Sequence, residues 1–221
     1  VIELTHEGDV FVLRLDDGEN RFGPDAVRHW NDALDRVEKA DGPRALVTTG
    51  TGKFYSNGLD LDHMLSEGVD GGAYLKDVLA LLGRVLTLPF ATVAAINGHA
   101  FGAGAQVAVA QDYRVMRAER GYFCMPEIDM KAPLHPGMNA LLQARLGWPV
   151  AHEVIVTGTR FGGPMALERG IVDHVVGEAE VLPKAIEIAQ GLAAKADPVM
   201  GRLKRDLYAT VLDALAADFA A

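Results

Sequence analysis

A chain of 221 residues with 49% hydrophobic and 23% charged side chains can bury a sizeable core without disulfide or metal staples. Its formal net charge of −9 argues against the clustered Lys/Arg footprint of a nucleic-acid-binding protein and, more weakly, against an anionic membrane surface. One cysteine, Cys124, excludes an intrachain disulfide framework and reads as a small buried hydrophobe; no run reaches the roughly 20 apolar residues of a membrane span and no N-terminal basic-then-apolar signal is present, so a cytoplasmic protein is expected.

In chain order, Ile2 to Thr5 and Val10 to Leu15 alternate and predict a β-hairpin about Gly8-Asp9. Pro24 opens a helix whose 3/4 stripe is Val27, Trp30, Leu34 and Val37, and Gly42-Pro43 ends it. Ala45 to Thr49 is a β-branched strand. Gly50 to Gly52 turns, Lys53 to Gly58 forms a loop, and Leu59 to Leu61 starts a helix. Tyr74 to Thr87 is helical, with Leu75, Val78, Leu79, Leu82 and Val85 inward. Ala91 to Ile96 is a buried strand, broken at Asn97-Gly98. A loop with Gly102 and Gly104 follows, then a tightly packed helix of small residues from Ala105 to Ala110. Asp112 to Arg117 and Tyr122-Phe123 predict strands. Helices are predicted over Gly137 to Arg145, Pro149 to Thr157 and Pro164 to Arg169, the last closed by Gly170. Two further helices, Leu182 to Lys195 and Pro198 to Phe219, are broken at Asp197-Pro198 and expected to pack outside the main core. Their stripe Leu203, Leu207, Val211, Leu212 and Leu215 is too apolar to stand exposed.

Two places carry chemistry. The first is the strand, glycine turn and helix start from Ala94 to Gln106; the second repeats that plan from Ala45 to Leu61. Each offers unspent backbone N–H groups, which suit a phosphate or an enolate oxygen. Phosphate fingerprints fail: Gly102-Ala103-Gly104 lacks the third glycine, and Gly50-Thr51-Gly52-Lys53 is followed by Phe54. The glycines also allow plain close packing of helix on strand. Two such loops could instead converge two donors on one oxygen. Glu127, flanked by Met125, Pro126, Ile128 and Met130, is a carboxylate in an apolar setting, where burial raises its pKa and makes it a stronger base. Seven histidines show no metal-binding spacing on one helix, so no metal site is expected, and no serine-hydrolase elbow occurs.

Phe54-Tyr-Ser-Asn-Gly-Leu-Asp-Leu61, Ile96-Asn-Gly-His-Ala-Phe-Gly-Ala-Gly104, Met125-Pro-Glu-Ile128, Thr157-Gly-Thr-Arg160 and Ala166-Leu-Glu-Arg-Gly-Ile-Val-Asp173 occur in this order. The ordered set resembles the crotonase, or enoyl-CoA hydratase/isomerase, superfamily over essentially the whole chain. Asn20-Arg-Phe22 and the segment Tyr55 to Leu61 look most like its Δ3,Δ2-enoyl-CoA isomerase branch. The resemblance implies an α/β fold: a crotonase-like ββα spiral over residues 1–180 with a helical C-terminal trimerisation region over 181–221. It implies an acyl-CoA substrate, with coenzyme A entering as part of that substrate and no prosthetic group, and a homotrimer or hexamer.

Carried over residue by residue, the N–H groups of Leu59 and Ala103 become the oxyanion donors and Glu127 the base. Ser56, Asn57, Gly58, Asp60, Gly102, Gly104, Gln106 and His135 become the substrate-binding set. Family hydratases use a second glutamate where this chain has Gln106, which points to an isomerase, because moving a proton from C2 to C4 needs one carboxylate. Arg21, Lys53 and Lys131 are candidate partners for the anionic coenzyme, each otherwise a surface charge. Three departures stand out. Lys131 replaces the usual glycine and could pair with Glu127, lowering its pKa. Gln111 replaces a usually small residue. His135 reads as a solvent-exposed loop residue, or, if turned inward, as one that narrows the acyl pocket or carries a proton. His99 is given no role.

Overall fold

Strands without polar alternation are buried on both faces, and the centre of the main sheet, Ala45–Gly50 and Ala91–Ile96, is built from such strands. In the computed structural model, which describes residues 2–218, β1 (Ile2–Glu7) and β2 (Val10–Leu15) form the expected antiparallel hairpin. After α1 (Pro24–Glu38), β3 (Ala45–Gly50) pairs parallel with β2. Then come β4 (Phe54–Ser56), α2 (Leu61–Met64), α3 (Gly71–Leu86), β5 (Ala91–Ile96), β6 (His99–Phe101), α4 (Ala103–Ala110), β7 (Tyr113–Arg117) and β8 (Phe123–Cys124). The remainder is α5 (Glu127–Met130), α6 (Pro136–Leu146), α7 (Trp148–Thr157), α8 (Gly163–Glu168), β9 (His174–Val176), α9 (Val181–Leu192), α10 (Pro198–Leu207) and α11 (Ala209–Ala216).

Six strands in the order β1-β2-β3-β5-β7-β9 make the main sheet, parallel except for the hairpin. Its period-2 alternation separates two cores. Leu46, Ala94, Ile96 and Met116 face the larger core with Trp30, Leu34, Leu82 and Phe90. Val10, Val12, Ala45, Val47, Val93 and Val115 face a second core closed by Val181, Ala185 and Ala189 of α9. Each large side chain so buried stabilises the fold by about 1.5–3 kcal/mol. A second parallel sheet, β4-β6-β8, grows out of the ends of β3, β5 and β7. Its strands have two or three residues and were read from the sequence as loops, apart from Tyr122-Phe123. β9 and α5 were also missed.

The C-terminal helices differ from expectation. They pack on this chain's own core: α9 covers the sheet, and Val211 and Leu215 of α11 are buried against α3 and α6. Lys204 reaches the Asp112 carboxylate at 2.7 Å, and the Arg145 guanidinium donates to the Tyr208 hydroxyl at 2.8 Å, fixing the corner between α10 and α11. The predicted stripe is therefore split, because Leu203 and Leu207 of α10 remain exposed. The part of the predicted helix at Phe219 lies outside the described residues.

Candidate active site

The second sheet brings the two glycine loops together. β4 runs into Asn57-Gly58-Leu59, and β6 runs into Gly102, which N-caps α4 at φ +51°, a backbone region that favours glycine. A methyl group on Gly58 would lie 2.7 Å from the Phe101 carbonyl oxygen and 3.0 Å from the Ala103 nitrogen. One on Gly104 would lie 2.4 Å from the Ser56 carbonyl oxygen. Only bare Cα atoms let the loops approach this closely.

The neighbouring donors are spent inside the protein. Gly58 N–H donates to Ser56 Oγ at 3.2 Å, Asp60 N–H to the Tyr74 hydroxyl at 2.9 Å, and Gly102 N–H to the Cys124 carbonyl at 3.0 Å. Between them, Leu59 N–H and Ala103 N–H donate to no protein acceptor among the described residues, and both residues line one cavity. Ala103 is the first residue of α4, so the positive end of the helix lies at this point.

That cavity has a volume of about 720 Å³. Leu61, Met64, Leu75, Met130, Leu134 and Met138 give it apolar walls. Glu127, at the start of α5, is also in the wall, and a methyl on Gly102 would lie 3.8 Å from its Oε1. Its Oε2 is buried without a partner among the described residues. Burial raises the Glu127 pKa above the ordinary carboxylate value, and its own backbone N–H offsets this in part. The other carboxylate in the wall, Asp62, is exposed and paired to Arg21 at 2.7 Å.

Of the residues expected from the sequence, Leu59, Ala103, Glu127, Asn57, Gly102 and His135 line the cavity. Ser56, Gly58, Asp60, Gly104 and Gln106 are not in its wall. Ser56 Oγ donates to the Asn20 carbonyl at 2.7 Å, Asp60 N-caps α2, and Gly58 and Gly104 permit the loop contact. Gln106 is fully buried, with Nε2 against Met125 Sδ at 3.9 Å. Every residue of α4 is buried, so its sequence gives no face that would have shown where Gln106 points.

His135 is buried, which corrects the exposed-loop reading. Its Nδ1 accepts from Gly137 N–H at 3.0 Å, capping α6, while the ring forms part of the cavity wall. Lys131 forms no ion pair with Glu127; it is exposed, in the left-handed region at φ +55°, and ends α5. Lys53 lies over the Phe54 ring outside the wall. Arg21 reaches the wall but is held by Glu19 and Asp62. Arg160 closes the motif Thr157-Gly-Thr-Arg160, which by itself gives it no role. It is exposed at the cavity wall over the Phe101 ring, a position that depends on β6 and the segment before α8 meeting in space. Cys124 is buried, and burial pushes its thiol pKa up to about 11. Among the described residues, no group of three or more His, Cys, Asp or Glu is placed to hold a metal ion.

The fold, a mostly parallel sheet that throws off a second small one, is that of the crotonase-type enoyl-CoA hydratase/isomerase structures. The chain belongs to the enoyl-CoA hydratase/isomerase family, whose profile matches residues 5–221. It is 34% identical over 219 residues to the peroxisomal enoyl-CoA delta isomerase 2 of Arabidopsis thaliana, covering 93% of this chain and 91% of that one. It is 33% identical to the carnitinyl-CoA dehydratase of Escherichia coli, covering 95% and 80%. The human mitochondrial delta3-delta2-enoyl-CoA isomerase superposes with a TM-score of 0.88 at 25% identity, covering 97% and 85%. The chain is an enzyme of enoyl-CoA isomerase/hydratase type, on the isomerase branch.

Proposed function

We propose that the protein moves the double bond of a 3-enoyl-CoA to the 2-position. The observation that carries this reading is the cavity wall that holds two uncommitted N–H groups, Leu59 and Ala103, and one buried carboxylate, Glu127, with an unpartnered oxygen. The thioester oxygen accepts from both N–H groups. Glu127 takes a proton from C2, and the negative charge spreads onto the thioester oxygen as a dienolate. The same carboxyl returns the proton to C4, leaving the double bond between C2 and C3. Each donor is worth about 3–4 kcal/mol to the dienolate, because the pocket holds it in place without solvent reorganisation. No prosthetic group is required, since the thioester itself provides the acidity.

The apolar wall suits an acyl chain, and Arg160 provides a cation at the wall for an anionic coenzyme. A second reading, hydration or dehydration, is favoured by the likeness to carnitinyl-CoA dehydratase. Its weakness is that Glu127 has no second buried carboxylate beside it in the wall. A third reading, a non-catalytic acyl-CoA-binding protein, would be favoured by pairing of Lys131 with Glu127, and no such ion pair forms among the described residues.

Incubating purified protein with 3-enoyl-CoA and, separately, 2-enoyl-CoA separates these readings. Appearance of 2-enoyl absorbance from the first supports isomerisation. Loss of absorbance from the second supports hydration, and no change in either supports a binding role. The exposed Leu203 and Leu207 on α10 support a trimer built on that helix. Low cysteine content supports a cytoplasmic location, although the Arabidopsis relative is peroxisomal. No described helix is long and apolar enough to cross a membrane.

A further inference from the structure

Behind the two loops lies a buried polar cluster that the proposed chemistry does not use. Thr48 of β3, Tyr55 of β4 and Gln111 at the C-cap of α4 are each fully buried. Thr48 Oγ1 lies 2.7 Å from the Tyr55 hydroxyl and 3.0 Å from Gln111 Oε1, and Gln111 Nε2 lies 2.9 Å from the Tyr55 hydroxyl and 3.2 Å from the Val107 carbonyl.

The hydrogens in this cluster can be placed. The Val107 carbonyl only accepts, so the atom facing it is the amide nitrogen, and Gln111 Nε2 spends its two hydrogens on Val107 and Tyr55. Thr48 has one hydrogen and gives it to Gln111 Oε1. Tyr55 must then donate to Thr48 Oγ1. The three side chains form a closed ring in which each donates once to the next. Burial pushes the Tyr55 pKa up to about 12, so the hydroxyl keeps its proton at working pH.

The ring joins the two arms of the site. Tyr55 is on the strand that leads to Leu59, and Gln111 ends the helix that begins at Ala103. At its N-terminus α4 is pinned by the contact of Gly104 with Ser56; at its other end, about 12 Å along the axis, it is pinned by Gln111. A helix held at both ends cannot pivot, and its first N–H stays at a fixed distance from the donor on the β4 loop.

We propose that Thr48, Tyr55 and Gln111 are positioning residues that set the spacing between the Leu59 and Ala103 N–H groups. This rests on the reading of those groups as the pair that receives the thioester oxygen. Misplacing one donor by about 1 Å would cost up to about a hundredfold in turnover while leaving coenzyme A contacts intact.

The test measures kinetics and the spectrum of bound acetoacetyl-CoA, whose enolate absorbs and is stabilised by a correctly spaced donor pair. The variants are Gln111→Met, which keeps the volume and removes the amide's donor and acceptor, and Tyr55→Phe, one atom smaller, which carries the test if the first does not fold. Val181→Ala, on the far side of the main sheet, controls for loss of stability. At a temperature where all are folded, the ring variants should lose at least about tenfold in kcat with KM within about twofold. Their bound enolate fraction should fall, and Val181→Ala should keep both. Folded ring variants with wild-type kcat and enolate fraction would overturn the brace alone. A wild-type protein that binds acetoacetyl-CoA without enolate absorbance would overturn the donor pair, and the brace with it.

Discussion

The Gly58 Cα packs against the Ala103 nitrogen so closely that one added methyl would sit 3.0 Å from it. The two loops are therefore in contact at the point where each presents an unspent N–H group. Gly58 also has φ +86°, which side-chain-bearing residues rarely adopt. Gly58→Ala should separate the loops and remove one donor, lowering kcat by about 10²-fold or more. Equilibrium binding of coenzyme A itself should change little; unaltered turnover in a folded variant would refute the importance of this contact.

Glu127→Gln keeps the shape of the side chain but cannot take a proton. Turnover of 3-enoyl-CoA should fall by about 10²–10⁴ with near-normal binding of the ester, because loss of a general base acts on the chemical step. Steady-state kinetics of the variant against wild type checks this, and equal kcat would exclude Glu127 as the base.

The same residue should leave a signature in pH. Its native pKa is raised above 4.5, first by burial. Between 4.5 and that raised value the native state binds more protons than the unfolded state, so stability falls as pH rises through this window. Above that raised value the charged, desolvated carboxylate costs stability in full. Glu127→Gln should have a higher Tm than wild type at pH 7, and the difference should shrink to nothing as pH drops below 4.5. The wild-type rate should rise with pH on a limb above the usual glutamate range. Thermal melts and rate profiles across pH measure both, and a Tm gain that grows toward acid would contradict the sign.

Gln106→Glu would create a hydratase-like carboxylate pair only if the side chain faced the cavity. It does not, and its Oε1 has no partner among the described residues. The variant should place an unpaired carboxylate in the core, lower stability by about 3 kcal/mol or more, and gain no hydration of 2-enoyl-CoA. Measurable hydration by a stable variant would show that the helix can turn this position toward substrate.

Leu203 and Leu207 are exposed on α10 while Val211 and Leu215 of α11 are buried within the chain. If α10 is the contact between copies, sedimentation should give three chain masses or a multiple, and Leu203→Glu with Leu207→Glu should give one. A wild-type monomer at micromolar concentration would reject the trimer.

The sequence showed most where periodicity or glycine punctuation is local. The strand Ala91–Ile96 was read to the residue, and the loop–helix junctions bearing Leu59 and Ala103 were read to within a few residues. The second sheet was hidden because strands as short as Phe54–Ser56 and His99–Phe101 have no pattern of their own and exist only through pairing with each other. Of the two readings of His135 the exposed one fails and the inward one agrees with the structure, since the residue is buried, caps a helix and lines the cavity wall. Gln111 stood out only as an unusual residue, since its partners Thr48 and Tyr55 are distant in sequence.

The contact of α11 with α6 bears on how the enzyme is made. Gly137 lies so close to the Leu215 backbone that an added methyl would be 2.5 Å from its Cα, and Gly137 stands between His135 and Met138, both in the cavity wall. The rear support of the acyl site thus comes from a segment synthesised after all the other described elements. A growing chain therefore carries Glu127 and both glycine loops before it carries the helix that packs behind Gly137.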